Sequence, residues 1–324
     1  MITDIQLLYN KHGLSYQQID RYLETSQLNH LYKNDLIKSM ALVREMLFII
    51  DYFNEKNKIL IPLKGPALSD LIYKNPFVRR CHDLDFLIDF KDINFFIDFF
   101  EKNGYILITD INKLGAFKDL VFVNRKKKII VELHWSLLDY YVFDENFDEF
   151  IEKNTKDIVF QNRKIKVFTN EFNLFYITIH AVNHRFERLK WLIDINDFLF
   201  SVDFDKSLFE KLVSEYELYK VVNIYDEICK IYVEKPNTFN LSDKKPSSLI
   251  LNFCINEIER NGDLKNNPFV IIKYYILELI FRYYTSSTKT KKIFIFNKFF
   301  IRNITLKRFK SLIFKRILNN KFSK

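Results

Sequence analysis

Glycine and proline are scarce, with five and six copies in 324 residues. So few turn-formers argue against collagen-like, linker-rich and many-turn all-β architectures. Five glycines also cannot build a glycine-rich phosphate cradle. Neither GxGxxG nor GxxxxGK followed by Ser or Thr occurs, which excludes the Rossmann and P-loop arrangements. Cys81, Cys229 and Cys254 are too few and too scattered for a disulfide framework or a thiolate zinc site. A reducing cytoplasm is the simplest setting. Long hydrophobic runs are missing too. The most apolar stretch, 269–284, is broken by Lys273, Glu278 and Arg282, and the first twenty residues hold no uninterrupted apolar core. The expectation is a soluble, cytoplasmic protein without a leader.

Hydrophobic residues make up 48% of the chain and charged residues 28%, a globular composition. The formal net charge is +9, but it is unevenly placed. Residues 289–324 hold twelve Lys and Arg and no acid, which leaves 38 bases against 41 acids, or −3, in the rest. The body is slightly acidic and the tail strongly basic. In that tail Leu306, Phe309, Ile313 and Ile317 recur at helical spacing among the cations, as in an amphipathic basic helix. Packing against the body and contact with an anionic membrane surface or RNA are its two readings.

Residues 1–57 read as helical, with Leu36, Met40, Val43, Leu47 and Ile50 on one stripe. The run 58–63 reads as a strand ending in the turn Lys64-Gly65-Pro66, and 67–73 as a short helix with Pro66 near its start. In 83–89, Leu84, Phe86 and Ile88 alternate with Asp83 and Asp85, the period of a strand. A helix over 92–102 and a strand over 105–108 follow. Strands at 117–123 and 129–135 pair across a basic turn, and a short ribbon is expected around 159 and 165–168. From Thr169 the period is helical, with helices over 171–186, 189–202, 206–216 and 219–232 and a linker near 237–248. The domains expected are therefore helices at 1–57, an α/β core at 58–168, a helical domain at 169–288 and the tail at 289–324.

The chemistry centres on Asp83 and Asp85. Two residues apart on a strand, both carboxylates leave the same face. Alone they repel by roughly 2–3 kcal/mol, taking an effective dielectric near 20 and a separation of about 6–7 Å. A divalent cation turns that repulsion into attraction, and hard oxygen ligands suit Mg²⁺. Glu132 stands on a strand between apolar neighbours and joins the pair if its strand lies beside theirs. Three acids can hold two metals for phosphoryl or nucleotidyl transfer; surface acids on a wet sheet face are the alternative. Lys64-Gly65 supplies charge and close backbone approach for phosphate, and Arg79 and Arg80 precede the acids. His180 and His184, at i and i+4, share a helix face, with Arg188 and Trp191 near it. Asp194 can orient a histidine or cap a helix.

These residues resemble a known family. Leu63-Lys-Gly-Pro-Ala-Leu68, Tyr73, Pro76, Arg79 and Asp83-Leu-Asp-Phe-Leu-Ile88 look like the signature of an uncharacterised bacterial nucleotidyltransferase family of the DNA polymerase beta-like superfamily. Glu132-Leu-His-Trp135 is similar to its acid-x-His-Trp strand. His180, His184, Arg188-Leu189, Trp191-Leu192 and Asp194 are similar to its helical segment. The resemblance covers about residues 35–200, in the expected order.

It implies an α/β (α+β) nucleotidyltransferase module with a mixed sheet, preceded by N-terminal helices and followed by an all-helical C-terminal half. Asp83, Asp85 and Glu132 would be the catalytic, metal-binding acids. Lys64, Gly65 and Arg79 would serve the triphosphate, and His180, His184, Arg188, Trp191 and Asp194 would line the cleft. Mg²⁺, or Mn²⁺, would assist transfer of a nucleotide monophosphate from an NTP to an unidentified acceptor, a small molecule, a sugar or lipid intermediate, tRNA or a protein. Pro66, where a Gly-Ser or Gly-Gly pair is usual, has no N–H to offer phosphate. Two other classes stay open: a catalytically weak nucleotide-binding partner in a toxin–antitoxin or surface-polysaccharide locus, and a basic nucleic-acid-binding module.

Overall fold

The computed structural model describes residues 1–109, 119–137, 146–260 and 268–286. The basic tail and the start of the strand expected over 117–123 lie outside them. At the N-terminus are α1 (Ile5–Asn10), α2 (Tyr16–Tyr22) and the long α3 (Tyr32–Glu55). The α/β section follows with β1 (Leu60–Pro62), α4 (Gly65–Tyr73), β2 (Asp83–Ile88), α5 (Ile93–Lys102), β3 (Ile106–Leu107), β4 (Asp119–Asn124), β5 (Ile129–His134) and α6 (Phe147–Asn154). A ribbon of β6 (Thr155–Phe160) and β7 (Arg163–Phe168) leads to α7 (Asn170–Asn183), α8 (Leu189–Ser201), α9 (Lys206–Glu215), α10 (Tyr219–Tyr232), α11 (Ser248–Glu259) and α12 (Pro268–Thr285).

The five-stranded sheet runs β1-β2-β5-β4-β3 and is mixed. Among the described strands only β2 and β5 pair in parallel, with Asp85 opposite Glu132; the other neighbours in this sheet are antiparallel. Strand alternation then divides the labour. Leu84, Phe86 and Ile88 of β2 and Val131 and Leu133 of β5 enter a core shared with α3 and α5. There Phe53 stacks on Phe96 at 4.3 Å and meets Phe99 edge-on at 4.7 Å. Each such ring contributes about 1.5–3 kcal/mol by burial. The opposite face carries Asp83, Asp85, Glu132 and His134. A second core joins α4, α7, α8, α10, α11 and α12.

The stripe on α3 sits differently from the sequence reading. Leu36 and Met40 are exposed, and Leu42, Val43, Met46, Ile49, Ile50 and Phe53 are buried. The buried face runs through Asp35, Ser39, Leu42, Met46, Ile49 and Phe53, rotated from the apolar stripe, because Asp35 turns inward to accept from Tyr9 and Tyr16. Of the expected linker 237–248, residues 237–247 lack helix, yet they are anchored. Asp226 accepts the N–H groups of Phe239 and Asn240, and the Phe239 ring stacks on Phe209 at 5.0 Å.

Candidate active site

Three backbone devices aim the site. Gly65 has φ +66°, a left-handed conformation in which a side chain is strained. It lets the chain turn from β1 into α4 beside the first residue of β2. Leu63 N–H donates to the Asp85 carbonyl at 2.9 Å, which extends the β1–β2 pairing up to Lys64. Ser69 Oγ accepts Arg79 N–H at 3.0 Å and donates to the Asn75 carbonyl at 2.8 Å, holding the loop that delivers β2.

On the sheet face, one ligand atom each from Asp85, Glu132 and His134 lie within 4.8 Å of one another. His134 Nε2 is 3.3 Å from Asp85 Oδ1 and 3.7 Å from Glu132 Oε2. Asp83 falls outside this close set. In the parallel register it faces Ile130, one pleat step below Glu132. A short aspartate cannot cover the diagonal, whereas the imidazole two residues above Glu132 reaches back. Asp83 stays coupled electrostatically: burial, then the Asp85 charge, pushes its carboxyl up.

Lys64 Nζ lies 3.2 Å from Asp85 Oδ2. Burial would raise the Asp85 carboxyl, but the Lys64 charge and the His134 hydrogen bond outweigh it and hold it well below the usual range. Lys64 is largely screened from water, which favours its neutral form, yet Asp85 keeps its ammonium raised above normal. Glu132, 28% exposed at the side chain, behaves oppositely. Burial, then Asp85 and Asp83, pushes it up to about 7. Between its ordinary value near 4.5 and about 7 the folded chain keeps a proton that the unfolded chain releases. The stability from that neutral carboxyl is full below the lower value and lost as pH rises through the upper. Glu132→Gln, whose amide imitates the neutral acid, should therefore be the more stable protein in EDTA at about pH 8, by on the order of 2 kcal/mol. Urea unfolding should show the gap closing by about pH 5. A less stable Gln variant at the higher pH would contradict this electrostatic reading.

The other expected residues divide. His180 and His184 have ring centroids 4.7 Å apart, Trp191 meets them at 5.5 and 4.6 Å, and the Arg188 guanidinium lies 5.8 Å from the Trp191 ring. The four side chains thus cluster on one another. Arg79 and Asp194 instead pair with each other, Nε to Oδ2 at 2.9 Å, and are 4% and 2% exposed. Arg79 also contacts the Cys81 sulfur at 3.5 Å. Its charge is spent on Asp194 of α8, a pairing that sequence, showing charge and not burial, does not reveal.

Two residues near the acids escaped the sequence reading. Tyr176 on α7 is buried within the field of Lys64, Asp85 and Glu132, and burial raises its phenol. Lys190 on α8 is buried and donates from Nζ to the Arg80 carbonyl, tying α8 to the segment entering Asp83. Burial, then the Arg79 charge, pushes its ammonium down to about 8. The Tyr176-His180-His184 spacing of four was a usable signal; Lys190 gave none.

A family model described as an uncharacterised nucleotidyltransferase matches residues 11–233. The chain belongs to this family. The match is wider than the motifs between 35 and 200 indicated. His12 is buried against the start of α8, where its Nδ1 accepts Leu189 N–H at 3.2 Å. In this nucleotidyltransferase the N-terminal segment thus packs against α8. A search of curated proteins finds no match.

Among solved structures, the lincomycin-bound lincosamide antibiotic adenylyltransferase LnuA is 16% identical, over 48% of this chain and 94% of its own, with a TM-score of 0.36. The antibiotic-resistance factor ANT(2'')-Ia is 11% identical over 56% and 95%, with a TM-score of 0.41. An antigenic nucleotidyltransferase-like protein from Paracoccidioides brasiliensis is 14% identical over 58% and 92%, with a TM-score of 0.33. Likeness at this level says nothing about substrate.

Proposed function

We propose that this nucleotidyltransferase moves a nucleotide monophosphate from an NTP to an acceptor hydroxyl or phosphate at the Asp85–Glu132 centre, in a divalent-metal-dependent reaction. The carrying observation is the close Asp85, Glu132 and His134 set, which the parallel β2–β5 register builds from distant segments. The donor set fits a cation: two carboxylates and an imidazole converge, and one carboxyl is pushed toward neutrality by burial and then by its acidic neighbours. Asp85 and Glu132 would hold the ion, with Asp83 and His134 completing its surroundings. Bound there, Mg²⁺ or Mn²⁺ supplies polarisation of the α-phosphate and a lowered pKa for the acceptor hydroxyl.

The chain's own groups do the rest. Glu132, the more open acid of the close set, takes the acceptor proton at its carboxylate. The acceptor oxygen bonds to the α-phosphorus as the bridge to the β-phosphate breaks, and pyrophosphate leaves. Lys64, released from Asp85, balances charge on that leaving group, and Gly65 leaves room for its oxygens. His134 orients Asp85. The His180, His184, Trp191 and Arg188 wall receives the base or the acceptor, stacking on rings and charge. Arg79 and Asp194 position α8 and so the wall.

The experiment is acceptor profiling. The purified protein is incubated with a metabolite and RNA extract and each of the four NTPs, labelled at the α-phosphate. One new labelled product, formed with the wild type and missing with Glu132→Gln, is the expected outcome. Equal labelling by both proteins would reject the assignment.

A further inference from the structure

Helices α11 and α12 lie beyond residue 233, where the family match ends, and both grip the turn between α7 and α8. That turn runs from His184 to Arg188, two members of the cluster with His180 and Trp191. Within it Arg185 and Phe186 are consecutive left-handed residues, with φ +58° and +57°. Residues with side chains seldom adopt this backbone, and two in a row persist only where their surroundings hold them.

Arg185 supplies the hold. Its Nε lies 3.1 Å from Glu257 Oε2 on α11, and one terminal nitrogen lies 3.1 Å from Glu278 Oε1 on α12. The other terminal nitrogen is 3.2 Å from Glu187 Oε2, within the turn itself. Every side of the guanidinium fork thus meets a carboxylate, a geometry that fixes direction as well as charge. Phe186 is fully buried and anchors the next residue. α12 also closes the end of α7, where Arg282 donates to the Asn183 carbonyl at 2.7 Å, one residue before His184. Both acids keep a second arginine: Arg260 donates to Glu257 at 3.1 Å, and Arg282 stands 3.5 Å from Glu278. Losing Arg185 therefore strands neither buried carboxylate, and the fold should survive it.

We propose that Arg185, clamped by α11 and α12, is a positioning residue for substrate: it sets the turn that keeps His184, Arg188 and Trp191 together as one wall. This rests on the reading of that wall as the surface for the base or the acceptor. A stacked ring is held equally in ground and transition states, so a loosened wall raises KM and leaves kcat. The test is Arg185→Asn, because asparagine tolerates the left-handed backbone and is too short to reach either helix. It is made in the full chain with Trp135→Phe, which leaves Trp191 as the single tryptophan. Trp191 emission should move to longer wavelength and become more open to acrylamide quenching. The half-saturating concentration of the NTP, or of the metabolite and RNA extract, should rise about ten-fold with maximal labelling kept. Arg185→Lys, whose single ammonium lacks the fork, should fall between the two, and it carries the test if the Asn variant unfolds. A lowered unfolding midpoint with emission and both half-saturating concentrations unchanged would overturn the proposal, leaving Arg185 a staple for α11 and α12. Emission that moves while neither concentration changes would instead reject the wall as a binding surface, and the proposal with it.

Discussion

Asp85→Asn should lower metal-dependent pyrophosphate release by roughly 10³-fold or more, about 4 kcal/mol of transition-state stabilisation, without unfolding the protein. Asp85 is the meeting point of the centre: Lys64 at 3.2 Å, His134 at 3.3 Å and Glu132 opposite it in the sheet all converge on this carboxylate. An amide keeps the shape but removes the charge that holds Lys64. Asp83→Asn should also cost activity, since its carboxyl shares the field of the same centre. Full turnover in a folded Asp85→Asn protein would remove the sheet face from the chemistry altogether.

Asp194→Ala should destabilise the fold by about 3–5 kcal/mol, because it leaves a buried guanidinium without its counter-ion. Arg79 and Asp194 bridge the loop before β2 and the middle of α8, and neither meets water. Replacing both, as Arg79→Met with Asp194→Leu, should recover most of the loss, since two apolar side chains need no partner. The midpoint and slope of urea unfolding measure both effects. Were Arg79 a contact for the triphosphate, Asp194→Ala would keep its midpoint, and its deficit would appear as a raised KM for NTP.

The strand bearing Asp83 and Asp85 was legible because a period of two shows which residues share a face. The helix face of His180 and His184 was legible for the matching reason, a spacing of four. What the chain could not show was which strands meet. β5 joins β2 after β3 and β4 have been threaded to the far edge, and that long-range choice puts Glu132 beside Asp85. The same register replaces Asp83 by His134 in the close set. Burial was equally hidden. Arg79 reads as a free charge until α8 brings Asp194 to it, and Leu36 reads as core although α3 turns Asp35 and Ser39 inward in its place. α12 was opaque because an almost uniformly apolar run carries no period to say which side faces in.

The account turns on which bond of the nucleotide breaks. Parallel reactions with NTP labelled at the α- or the γ-phosphate, together with the acceptor found by profiling, decide this directly. α-Label should pass to the acceptor and γ-label should leave as pyrophosphate, with neither event in Asp85→Asn. γ-Label on the acceptor, or its release as inorganic phosphate, would show cleavage at the γ-phosphate and contradict nucleotidyl transfer at the Asp85–Glu132 centre.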